Sequence, residues 1–264
     1  MFGFYDKYFL LFGLKVSYYG VLIAVGMALG VFVACRLARR RGLKSEDVLL
    51  VACYVIPLAI IGARLYYVAF SGQTFTFWQI FEIWKGGMAV YGGIIGGVVG
   101  VGLYCLIHKK NFFAIADIAV AGLALGQGIG RIGCYLSECC YGIEVTNPSL
   151  QWFPLSTQIN GTWHLSTFFY ESFCDLILFV VLYIMASKRV RTRGVVMSVY
   201  LMGYGTIRCI IEGFRGDSLY FLGMRVSQLL SGIIIAIGVG FLIFFLVRAH
   251  RQLPMSDKTA DKKE

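Results

Sequence analysis

A chain of 264 residues in which 58% are hydrophobic and only 14% are charged is not a water-soluble domain, and its mean hydropathy of +0.75 is that of a chain that faces lipid. The net charge of +10 invites a nucleic-acid reading, but the basic clusters are short and each abuts an apolar run, so the charge records membrane topology. The expected surroundings are a lipid bilayer, with no nucleic-acid partner.

Apolar stretches of about 20 residues, the length that crosses a bilayer as a helix, recur along the chain. They predict an all-α polytopic membrane protein with seven transmembrane helices, at about 17–35, 48–70, 88–107, 114–133, 167–187, 194–214 and 226–247. Together they form a single transmembrane domain over residues 1–253, and the polar tail 254–264 is expected to be disordered. No cleavable signal peptide is expected: no basic region precedes the run Val16 to Cys35, which ends in an Arg-rich cluster and reads as a retained first helix. Most of the 24 Lys and Arg fall in Arg36–Lys44, Lys109–Lys110, Lys188–Arg193 and Arg248–Lys263. Seven spans put all four clusters on one side, so the C-terminus is expected in the cytoplasm and the N-terminus outside.

In the third span Gly92, Gly96 and Gly100 recur every four residues, and Gly122, Gly126 and Gly130 repeat this spacing in the fourth. Small residues at that spacing let helix backbones approach closely in lipid, and the third and fourth spans are expected to pack tightly. The run Gly128 to Gly133 also matches G-x-G-x-x-G, but a dinucleotide fingerprint must follow a strand in a soluble βαβ unit, so this reading is rejected. The longest loop on the side away from the basic clusters, about 135–165, carries Pro148 and Pro154 and is a candidate cap for an embedded site. Near its start lie Cys134, Cys139 and Cys140, an odd number outside the reducing cytoplasm. Disulfide pairing is the leading expectation there, with a metal site or a reactive thiol as alternatives.

Two arginines lie within otherwise apolar runs, Arg131 in the fourth span and Arg208 in the sixth. A charge in a span is costly unless it meets a partner or a wet cavity, so each is a functional-site candidate. Tyr204, Arg208, Glu212 and Arg215 follow at spacings of four, four and three and share one helix stripe, with Arg208 and Glu212 able to pair; Gln127 stands one turn before Arg131. Structural ion pairs would account for this spacing equally well. Two features favour a ligand: both stripes lie towards the outer ends of their helices, and Arg64, Arg131, Arg208 and Arg215 outnumber the nearby embedded acids. Guanidinium in excess suits an anion, and its planar fork suits phosphate, which a membrane site meets as a phospholipid head group.

The blocks Gly86 to Gly93, Gly126 to Gly133, and Tyr204 through Arg208 and Glu212 to Arg215 resemble the signature blocks of bacterial prolipoprotein diacylglyceryl transferases. Tyr19-Gly20, Gly62-Ala63-Arg64-Leu65 and Tyr170-Glu171 fit the same pattern, and the resemblance runs in order over about residues 16–245. It implies a plasma (inner) membrane enzyme, its site facing the extracytoplasmic side. That enzyme moves the diacylglyceryl group of phosphatidylglycerol onto the cysteine thiol of a lipobox-containing preprolipoprotein, forming a thioether and releasing glycerol phosphate, with no cofactor and no metal. By the match, Arg131 and Arg208 hold the phosphate, Glu212 orients Arg208, and Tyr19 and Tyr204 line the lipid site; Arg64, Gln127, Glu171 and Arg215 join them as substrate-binding residues, and Tyr91 stands with the catalytic ones.

The chain also departs from the family pattern, with Tyr91 where members commonly carry His and Cys134 where they carry Asn. A histidine could take the thiol proton near neutral pH, whereas a tyrosine of ordinary pKa about 10 is a poor base. Glu138, Glu171 and His164 are candidates for that role, and Tyr91 is expected to donate a hydrogen bond. Two other readings stay open: a paralogue with a different acceptor, and a non-catalytic phospholipid-binding or transport protein in which the arginines serve recognition alone.

Overall fold

A computed structural model describes residues 3–4, 8–11, 14–83, 86–137, 140–188, 192–216, 220–221 and 224–252. Seven helices dominate it: α1 (Tyr18–Arg40), α2 (Ser45–Phe70), α3 (Val90–Ile107), α4 (Phe112–Leu136), α5 (Thr167–Ser187), α6 (Val195–Gly213) and α7 (Val226–Gln252). Each is long and apolar enough to cross a membrane, and the chain is a multi-pass membrane protein. Several helices outrun the apolar segments that announce them. α1 continues to Arg40, α4 to Leu136 and α7 to Gln252, because apolarity stops at the edge of lipid whereas backbone hydrogen bonding does not. The tail expected to be disordered, 254–264, and the cysteine Cys139 lie outside the described residues.

Short antiparallel strands, which the apolar pattern does not announce, lie outside the spans. The pairs are β1 (Gly3–Phe4) with β2 (Tyr8–Leu11), β2 with β3 (Leu14–Ser17), β4 (Ser156–Ile159) with β5 (Thr162–Leu165), and β6 (Tyr220–Phe221) with β7 (Met224–Arg225). β3 takes Val16 from the expected first helix, and the side chain of Ser17 then caps α1 by accepting from the Gly20 amide at 3.0 Å.

The glycine faces choose partners other than those expected. α3 packs along α2, not α4: the backbones of Gly92 and Gly62 approach so closely that a Cβ on either would overlap the other's carbonyl. α4 packs along α1 in the same way, Gly122 against Gly30 and Gly126 against Gly26. The physical reason is that a bare backbone face complements any other small surface, and Gly62, Gly26 and Gly30 supply such surfaces on α2 and α1.

At the end of the bundle that carries the basic clusters, Leu37, Ala38, Ala121, Leu182, Ala186 and Val196 form a dense core between α1, α4, α5 and α6. Beside it Asp117 is wholly buried. Its carboxylate accepts from the Gly194 and Met197 amides at 2.9 Å and from Arg41 at 3.2 Å, so it caps the N-terminus of α6 from a neighbouring helix. This contact fixes α6 along its axis and therefore sets the depth of Arg208.

Candidate active site

At the opposite end, the last turns of α4 and α6 meet the opening turns of α5. Arg131 Nη2 lies 2.7 Å from Glu171 Oε1, and Arg208 Nη1 lies 3.2 Å from Glu171 Oε2. One carboxylate on α5 therefore bridges two guanidiniums from two other helices. Arg208 turns its second nitrogen to Glu212 Oε2 at 3.1 Å, and Arg215 Nε stands 4.0 Å from the same oxygen. Arg225, at the foot of α7, donates to the Glu212 carbonyl. Glu171 and Glu212 are 1% and 3% exposed, whereas the side chains of Arg131 and Arg208 keep 20% and 18%. The acids are thus behind the arginines, and the guanidinium edges are what an incoming anion would meet.

The surrounding residues hold this network in place. Ser172, next to Glu171, donates to the Gly128 carbonyl at 2.7 Å and locks α5 to α4. Gln127, one turn before Arg131 on α4, accepts through Oε1 from the Tyr200 hydroxyl at 3.0 Å, and the Tyr200 ring stacks on Tyr204 at 5.8 Å. The Tyr19 ring, in the first turn of α1, lies over Gly133, two residues beyond Arg131. The segment before α5 is bolted above the site: Ile143 donates to the Phe214 carbonyl at 3.0 Å, Thr167 Oγ1 to the Cys140 carbonyl at 2.7 Å, and Tyr170 to the Leu155 carbonyl at 2.5 Å. Cys140 Sγ lies 3.8 Å from Arg131 Nη1.

Other sequence candidates fall elsewhere. Arg64, buried on α2, donates to the carbonyls of Gln79, Ile80, Gly86 and Gly87 at 2.6–2.9 Å and so pins the segment that leads into α3. Tyr91, in the first turn of α3, has its ring contact with Tyr66 at 6.1 Å rather than with the arginine network. His164 is tied into the β4–β5 hairpin through Thr162 Oγ1 at 2.8 Å and the Gly142 carbonyl at 3.2 Å, a structural role. Glu138 lies outside the described residues.

Two residues of this region were not singled out from the sequence. Tyr200 carries Gln127, and Asp175 sits one turn below Glu171 on the same face of α5; the four-residue spacing from Glu171 was the available signal.

A bundle of helices long and apolar enough to cross a membrane, with guanidiniums and carboxylates paired between α4, α5 and α6, defines an integral membrane protein. The family model described as prolipoprotein diacylglyceryl transferase matches residues 7–244, and the chain belongs to that family. Its relatives include proteins named phosphatidylglycerol–prolipoprotein diacylglyceryl transferase. The one from Streptococcus equi subsp. zooepidemicus is 39% identical over 250 residues, 92% of this chain and 94% of the relative. That from Clostridium perfringens is 37% identical over 244 residues, 90% and 93%, and that from Finegoldia magna is 36% identical over 252 residues, 95% and 98%.

Proposed function

We propose that this chain transfers the diacylglyceryl group of phosphatidylglycerol to the lipobox cysteine thiol of a preprolipoprotein. The sulfur attacks the glycerol carbon that carries the phosphate ester; the carbon–oxygen bond breaks, a thioether forms and glycerol phosphate leaves. The observation that carries this reading is the Glu171 bridge between Arg131 and Arg208. Charge grows on the departing phosphate oxygens during such a step, and donors already aimed at that position stabilise it without reorganising. In this reading Arg131 and Arg208 grip the phosphate, Glu171 holds the two guanidiniums at fixed spacing, and Glu212 orients Arg208. Tyr204 and Tyr19 line the lipid pocket, and Arg215 extends the basic rim.

The attacking thiol has an ordinary pKa of about 8.5 and must lose its proton. Tyr91 positions the acceptor through its hydroxyl. The basic clusters support a C-terminus in the cytoplasm and an N-terminus outside, which opens the arginine site to the extracytoplasmic leaflet of the plasma membrane, where secreted preprolipoproteins arrive.

The test is reconstitution. Full-length protein in mixed micelles with phosphatidylglycerol and a lipobox peptide is expected to release glycerol phosphate and to add a diacylglyceryl mass to the peptide cysteine. Glycerol phosphate release without peptide modification would mean another acceptor, and neither product would leave a binding protein.

A further inference from the structure

Among the described residues, Asp175 is the one fully buried acid of the site region that the mechanism above does not use. It is 0% exposed, and neither carboxyl oxygen has a hydrogen-bond partner among the described residues. The two acids buried to the same degree, Asp117 and Glu171, each hold several donors. A buried polar group without a partner is expensive and is retained where it serves a purpose.

The neighbours of Asp175 are the groups of the phosphate site itself. It stands one turn from Glu171 on α5, the carboxylate that bridges Arg131 on α4 and Arg208 on α6. Cys174 beside it and Tyr200 and Tyr204 on α6 are the other titratable neighbours. α1, which also touches α5, is apolar from Gly20 to Ala34. An ionised Asp175 would thus share the attraction of the two arginines with Glu171, and a bound phosphodiester would have to share it further. Neutral Asp175 removes that competition. The phosphodiester keeps its single negative charge across the working pH range, so any pH dependence of its binding comes from the protein.

We propose that Asp175 is a proton-linked positioning residue of the lipid-phosphate site, neutral when phosphatidylglycerol lies on Arg131 and Arg208 and able to ionise when the site is empty. The proposal rests on the function proposed above. It balances simply: Asp175 takes up one proton from the buffered solvent as the lipid anion binds and returns it when the site empties. Linkage is reciprocal, so the lipid binds more weakly as pH rises through the titration of Asp175 in the lipid-free protein.

The experiment measures KM for phosphatidylglycerol against pH in the full-length protein and in Asp175→Asn, which keeps the shape but cannot ionise. In the wild type KM is expected to rise about tenfold with pH, a coupling of ordinary size; in Asp175→Asn the KM profile is expected to be flat. The same KM slope in both proteins, or a uniform loss of kcat with the slope intact, would overturn the proposal. Should Asp175→Asn fail to fold, calorimetric titration of the wild type with phosphatidylglycerol in two buffers of different ionisation enthalpy reads proton uptake directly. Uptake supports the linkage, and none refutes it. Lack of glycerol phosphate release by the wild type would sink the transferase reading alone, because the calorimetry needs no turnover.

Discussion

Arg208 divides its guanidinium between two acids, Glu171 on a neighbouring helix and Glu212 one turn ahead on its own. Only a planar fork can serve two carboxylates and still present an edge to a phosphate; the point charge of an ammonium cannot. Arg208→Lys is therefore expected to lower kcat by about 100-fold or more, the scale seen when one donor to a developing oxyanion is lost, and Arg131→Ala by at least as much. Release of glycerol phosphate by folded, membrane-inserted variants is the measurement, and near-wild-type rates in both would reduce these residues to structural ion-pair partners. Tyr91 presents the contrary case. Set against the Tyr66 ring, it is expected to lose only a modest part of its rate as Tyr91→Phe, with the pH profile of kcat unchanged, and to tolerate Tyr91→His. A phenylalanine variant with no turnover and intact lipid binding would make Tyr91 the thiol's base instead.

The helices themselves were legible in the sequence because span length is a property of one segment, and seven apolar runs become seven helices. Their partners were not. The glycine stripes of α3 and α4 announce close packing but do not say against what, and the answer lies in Gly62 and Gly30 on other helices. The site divides along the same line. Arg208 and Glu212 could be paired from their spacing, whereas Glu171 meets Arg131 and Arg208 only through the tertiary fold. Arg64 counted as surplus charge in the sequence because its acceptors are main-chain carbonyls, which leave no mark in residue identity. The packing itself is testable: Gly122→Leu drives a side chain into the Gly30 backbone and is expected to destabilise the protein by about 1–3 kcal/mol or more. Gly102→Ala, where an added Cβ meets nothing within 4 Å, serves as the control. Thermal unfolding in detergent reads both, and equal midpoints would contradict the close α1–α4 approach.

For the molecule as a whole, two ends do different work. The end with the basic clusters holds the dense core and the Asp117 rivet, and the opposite end holds the arginines and the loop above them. Single cysteines near Lys109 and Arg193, in a background stripped of reactive native thiols, are expected to stay shielded from an impermeant thiol reagent in intact cells and to react after permeabilisation. Labelling of intact cells at either position would invert the orientation and turn the arginine site towards the cytoplasm. The latch at Arg64 has a consequence of another kind. It grips its loop by the main chain at Gln79, Ile80, Gly86 and Gly87, so the grip is indifferent to which side chains the loop displays. Phe77, Trp78 and Phe81 point outwards from the same segment, free to be rewritten. A membrane enzyme fastened this way can exchange the face it shows to lipid or to an arriving protein as one would change a tyre on a fixed hub, leaving α2, α3 and the chemistry beyond them undisturbed.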